Sequence, residues 1–336
     1  NDRRMALLRE ATKAARSVSA EITQVQARYQ DKVRRTLVCN SDGVFATAER
    51  PYTRTAVIAI AMQDTQAQMG YEAPGCCRGF EAYSGPIDLN ASAIVAAKTA
   101  VTMLHAPDCP AGRLPVVIDG GFGGVIFHEA CGHSLEATSV SRGNSEFCGK
   151  LGQQIAAPCV TIWDDPSDGL GLAGRPFDGE GVPTRKKNVV EKGVLQTLLH
   201  NLTTAAKQGV TTTGNAARGY ASAVGVAPSN FYIAPSQESV EAMLARMGEG
   251  FLITEVSGLH AGANQISGDF SLLAKGFAVR GGQKAEPVEQ ITVAGNFFAV
   301  LKDVVAVADD LAFGLPGGSL VGSPTIWVKA LSVAGK

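Results

Sequence analysis

Apolar residues recur at helical spacing in RRMALLREATKAARSV, with basic residues toward its end, which predicts a surface helix whose last turn suits the helix dipole. The period then changes. EITQVQARYQ, KVRRTLVCNS, VFATAERPYTRTAVIAIAMQ and TQAQMGYEA alternate apolar with polar residues and are separated by QDK, SDG and QDTQ. That is the pattern of an antiparallel meander with one solvated face. A second helix, NASAIVAAKTAVTMLHA, is predicted to open at an asparagine cap, Asn90, and to run to Ala106. PDCPAGRLP gathers prolines and a glycine, and a domain boundary is expected there.

Beyond it the chain is rich in glycine and in short strand patterns. LPVVID reads as a buried strand leading through GGFGG into a histidine-bearing segment. APCVTIWDD, NVVEKGVLQTLLHN, GFLITEVSG, LLAKGFAVRGGQKAEPVEQITVAG and TIWVKALSVAG supply further strands, with helices expected at SQESVEAMLARM and NFFAVLKDVVAVA. The expected fold class is α+β. Residues 1–108 form an N-terminal α/β domain with an antiparallel meander, and residues 109–336 form a strand-rich C-terminal domain carrying a metal-binding helix.

Composition narrows the function more than the fold. The chain has 336 residues, 45% hydrophobic, which is enough for two cores. Its 30 basic and 31 acidic residues give a net charge of −1, so no electrostatic bias points to nucleic acid or an anionic membrane. No apolar run approaches the roughly 20 residues of a membrane span, and the polar start is unlike a signal peptide. A cytoplasmic location is expected. Because helical patterning begins at once and no Met precedes it, upstream sequence is expected too. The cysteines (Cys39, Cys76, Cys77, Cys109, Cys131, Cys148, Cys159) are odd in number and lack C-x-x-C spacing, as reduced thiols would be.

Candidate chemistry concentrates in GGFGGVIFHEACGHSLEA, residues 120–137. His128 and His133 frame Glu129, an arrangement suited to a metal with a general base beside it. In a regular α-helix, positions i and i+5 lie about 140° apart, so a plain helix sends the two imidazoles to different sides. A π-turn closes that gap, and Gly132 is expected to ease the distortion. Glu136 is either a further ligand or the group that orients an imidazole. The bland alternative is two unrelated histidines in an apolar helix. His105, ending a helix, and His200, after VLQTLL, need no ligand role, and Trp163 and Trp327 are expected to fill core.

VVIDGGFGGVIFHEACGHSLEATSV closely resembles the catalytic segment of the TldD/PmbA family, whose members are often labelled modulators of DNA gyrase. GKLGQQIAAPCVTIWDD, DGEGVPTRKKNVVEKGVL, TTTGNAARGY, GLHAGANQISGDFS and ITVAGNFFAVLKDVVAVADDL resemble further family blocks in the same order. The resemblance implies a zinc-dependent metallopeptidase acting on unfolded or linear peptides. It implies His128 and His133 as Zn2+ ligands, Glu129 as the catalytic glutamate, and a homodimer or a heterodimer with a PmbA-like paralogue. Substrates are expected to bind as extended strands within an enclosed dimeric site. One departure stands out. The TldD branch typically draws a third ligand from a C-terminal cysteine, whereas this chain has none after Cys159 and ends in a PmbA-like manner. That departure supports an alternative, a noncatalytic partner subunit, although Glu129 is retained. Cys148, in FCGKLGQQ, is a weak substitute for the missing ligand. His260, in a glycine-rich loop after a strand, is the expected third ligand, with substrate binding or oxyanion stabilisation as its other role.

Overall fold

The computed structural model describes residues 2–107, 109, 111–167, 172–258, 262–264, 266–314 and 320–335. These residues divide into two compact units: 1–37 with 47–107, and 38–46 with 108–336. The fold is mixed α+β.

In the first unit, α1 (Asp2–Arg16) and α2 (Leu89–Leu104) pack on a sheet of β1 (Ile22–Cys39), β2 (Phe45–Gln63) and β3 (Gln66–Glu72). The core between them is built from small residues, including Ala11, Ala15, Ala59, Ala61, Ala93, Ala96, Ala97 and Ala100. Smallness lets helix and sheet backbones approach closely. A Cβ on Gly70 of β3 would lie 1.9 Å from the Ala96 carbonyl oxygen. Along β2 the side chains of Thr53, Thr55, Val57, Ala59 and Ala61 alternate into the core, as the period of two requires.

Two local expectations need correction. QDK is not a break, because Gln30 to Lys32 lie inside one 18-residue strand and Asp31 is held by an ion pair with Arg4 of α1. The cap of α2 is Asp88, whose carboxylate accepts from the Ala91 amide at 2.9 Å, so the helix starts before Asn90. SDG does turn the chain: Asn40 Oδ1 accepts from the amides of Asp42 and Val44, and Gly43 takes a left-handed φ of 85°.

In the second unit, Gly112–Ile118, Gly250–Ser257, Asp269–Arg280, Gln283–Asn296 and Ile326–Ala334 pair in sequence, and the last pairs back to Gly112–Ile118. The ring closes into a barrel, which leaves none of these five strands a free edge along its whole length. Gly112–Ile118 runs between two neighbours, and Val116, Val117 and Ile118 are all buried, which explains its unbroken apolar pattern. Beside the barrel a six-stranded sheet runs Ala312–Gly314, Leu320–Ser323, Asn230–Ile233, Ile162–Asp165, Lys187–Glu191 and Val194–Leu195. NFFAVLKDVVAVA is helical only over Phe297–Lys302; Val304–Val307 is a strand paired with Ile326–Val328, as its β-branched residues favour. Among the described residues, no helix is long and apolar enough to cross a membrane.

Candidate metal centre

The strand Gly112–Ile118 delivers the chain to the site. After it, Asp119 donates its amide to the Ile253 carbonyl, and Gly121 donates to the Ser323 carbonyl, at 2.8 Å each. GGFGG is therefore pinned between the barrel and the Leu320–Ser323 strand. Its glycines serve close approach: a Cβ on Gly124 would stand 2.5 Å from that of Ser323. The chain then winds through Phe122–Gly124 as a 3-10 turn, Val125–Phe127 as an α-turn and His128–Gly132 as a π-helix. Val125, Ile126, Phe127, Ala130 and Cys131 are buried, so the apolar surface of this short run locks it in place.

The π-turn brings together two rings that a regular helix would separate. The His128 and His133 ring centroids lie 4.9 Å apart with planes at 85°. The donor atoms of His128, Glu129 and His133 all lie within 4.8 Å of one another. Two donors on a tetrahedral ion at 2.0–2.1 Å stand about 3.3 Å apart, so the cluster is assembled to within roughly 1.5 Å of closure. Two imidazoles form a donor pair that suits Zn2+ and other borderline divalent ions, and the Glu129 carboxylate stands beside them. The residues present fit the metal.

His128 is 3% exposed and meets Phe231 edge-on at 5.9 Å. Burial, aided by the neighbouring His133, pulls its pKa down to about 3, so the ring is neutral and available as a ligand near pH 7. His133 is half-exposed, and its Nδ1 lies 2.8 Å from Glu136 Oε1. That hydrogen bond and the charges of Glu136 and Glu129 raise its pKa against the opposing effect of burial. Gly132 plays a different part from the one expected. It is not among the residues at positive φ, but a Cβ there would lie 3.0 Å from His128 Nδ1. It is small because the imidazole lies against it.

Cys131 is buried, which pushes its thiol well above the usual range, and it does not join the cluster. Cys148 donates to the Val140 carbonyl at 3.3 Å and also stands outside the cluster. His105 meets Glu21 at 2.8 Å, and buried His200 meets Thr204 at 3.3 Å. His260 lies outside the described residues. Trp163 and Trp327 are only partly buried, each beside a cation, Lys186 at 4.5 Å and Arg246 at 5.4 Å from the ring centroid.

Sequence reasoning missed a buried polar network behind the site. Asp164, fully buried, faces Lys187 Nζ at 2.6 Å and accepts from Asn215 Nδ2 and Ser229 Oγ at 2.8 Å each, and from the Ser229 amide. Lys187 also donates to the Thr213 carbonyl at 3.1 Å. Asp164 pairs across the sheet with Phe231, the residue packed on His128. The signal was present in TIWDD and TRKKN, where charges interrupt strand patterns.

Two family models, described as the PmbA/TldA metallopeptidase central and C-terminal domains, match residues 1–104 and 111–335. A metalloprotease TldD homolog of Haemophilus influenzae is 28% identical over 99% of this chain and 72% of its own length. A metalloprotease of Methanothermobacter thermautotrophicus is 33% identical over 88% of this chain and 64% of its own length. A crystal structure from Thermotoga maritima, described as a modulator of DNA gyrase, superposes with a TM-score of 0.88 at 34% identity, covering 98% of this chain and 73% of that one. With both of its units matched and its histidine cluster assembled, this chain belongs to the PmbA/TldD metallopeptidase family.

Proposed function

We propose that this chain is a zinc-dependent peptidase that hydrolyses unfolded or linear peptides, with residues 109–336 as its metallopeptidase domain. The observation that carries the reading is the convergence of His128, Glu129 and His133 on one π-turn. His128 and His133 would hold the ion, and His260, in the glycine-rich sequence GLHAG, would be the third donor. A divalent ion there supplies Lewis acidity and makes water a stronger acid. Glu129 accepts the proton of the attacking water and returns it to the leaving amine, a role open to it because its carboxylate lies beside both rings. His128 stays neutral, and Phe231 excludes solvent from one side of it.

Relatives named metalloproteases support peptide substrates, and a PmbA homolog of Haemophilus influenzae, 34% identical over 64% of this chain, supports a paralogous partner or a second copy. None of the seven cysteines is joined in a disulfide, which supports a reducing cytoplasm. The test is metal content together with turnover of an unstructured peptide. About one zinc per chain is expected, with activity falling on the order of 10²-fold or more under a chelator and returning on Zn2+ addition. A chain that binds no metal and cleaves nothing would instead be the noncatalytic subunit of such a complex.

Gly132→Ala should reproduce part of that loss without touching a donor atom. A methyl 3.0 Å from His128 Nδ1 must displace the ring or the turn. Misdirecting one ligand is expected to weaken Zn2+ binding by about 10- to 100-fold, the scale seen when ligand orientation is lost. Titration with Zn2+ checks it, and wild-type affinity would show that the ring shifts freely.

A further inference from the structure

We propose that Glu136 is the positioning residue that fixes which ring nitrogen His133 presents to the metal, an inference that rests on the metal-site reading above. Glu136 Oε1 stands 2.8 Å from His133 Nδ1. An ionised carboxylate only accepts hydrogen bonds, so the proton of the neutral imidazole belongs on Nδ1. Nε2 is then the unprotonated nitrogen, with its lone pair free to bind an ion.

The arm that makes this contact is held more firmly than the ring it holds. The Glu136 side chain is 15% exposed and that of His133 is 41% exposed. Backbone bonds flank Glu136 on both sides: Leu199 donates to the Leu135 carbonyl at 3.0 Å, and Ala137 donates to the Leu199 carbonyl at 2.9 Å. Glu136 and Leu199 thereby form an isolated parallel bridge. Glu136 also leaves helical conformation, at φ −64° and ψ 124°, just where the run containing His133 ends. It occupies the cap position of the helix Ala137–Ser141, yet its side chain makes no capping hydrogen bond. The carboxylate turns back to His133 instead. Glu136 stands outside the cluster of His128, Glu129 and His133, so it acts on the metal through the ring.

The test reads the ring before any turnover. Full-length, metal-free protein carrying 15N-labelled histidine is examined above the raised pKa of His133, with its signals assigned by His133→Asn. The expected wild-type pattern is a protonated Nδ1 and a bare Nε2. In Glu136→Ala both tautomers should appear, with Zn2+ affinity lower by about 10- to 100-fold. Glu136→Gln keeps an acceptor on the same stem and should recover the tautomer and most of the affinity. Should Glu136→Ala not fold, the wild-type spectrum and the glutamine variant still decide. Zn2+ binding alongside a wild-type His133 protonated at Nε2 overturns the role of Glu136 alone. So does wild-type affinity in the alanine variant. The expected tautomer in a chain that binds no Zn2+ overturns the metal reading of both residues.

Discussion

Glu129→Gln is expected to lower hydrolysis of an unstructured peptide by about 10²- to 10⁴-fold, the usual contribution of a positioned general base, while bound zinc stays at the wild-type level. Glutamine fills the same volume and keeps an oxygen that can hydrogen-bond, but it cannot accept a proton near pH 7. The imidazoles of His128 and His133 are untouched by the change, and the buried faces of the π-turn, carried by Ala130 and Cys131, still pack as before. The assay pairs turnover with metal analysis on one preparation. Loss of zinc together with turnover would make Glu129 a ligand rather than a base. Full turnover with zinc present would remove Glu129 from the mechanism.

How much of this site was legible in the sequence depends on the range of the interactions involved. The π-turn could be inferred because the spacing of His128 and His133 is a local quantity, and the geometry of one helix turn decides whether they meet. The alternation of β2 was legible for the same reason, since a period of two needs no partner to be read. Other features depend on residues far along the chain. Gly132 was expected to relax the backbone, whereas it makes room for a ring four residues earlier that Phe231 also meets. Phe231 itself carries no motif, and it reaches His128 only because Asn230–Ile233 pairs with both Ile162–Asp165 and Leu320–Ser323. NFFAVLKDVVAVA shows competition within one segment: Asn296 caps the helix Phe297–Lys302, and pairing with Ile326–Val328 claims the valines that follow. Tertiary pairing overrode the helical period there.

The largest expected loss of stability lies behind the site, at Lys187. Replacing it with methionine should destabilise the second unit by about 3–5 kcal/mol, because the Asp164 carboxyl group would be left inside the protein with no cation beside it. The side chains of Asp164 and Lys187 are 0% and 5% exposed, so solvent cannot screen the loss. Hydrogen bonds from Asn215 and Ser229 would remain, and they place the effect inside that range rather than above it. Both tryptophans of the chain, Trp163 and Trp327, lie in the second unit, so their fluorescence during urea unfolding reports on it without interference from the first. A double variant, Asp164→Asn with Lys187→Met, removes both charges and should recover more than half of the loss, since the penalty comes from the unpaired carboxylate rather than from the missing attraction. Because Asp164 pairs across the sheet with Phe231, the single variant should also loosen the packing on His128 and weaken Zn2+ binding in protein that is still folded. A shift below about 1 kcal/mol for Lys187→Met, within the range of exposed pairs, would mean that water reaches Asp164 and that the network does not support the wall of the metal site.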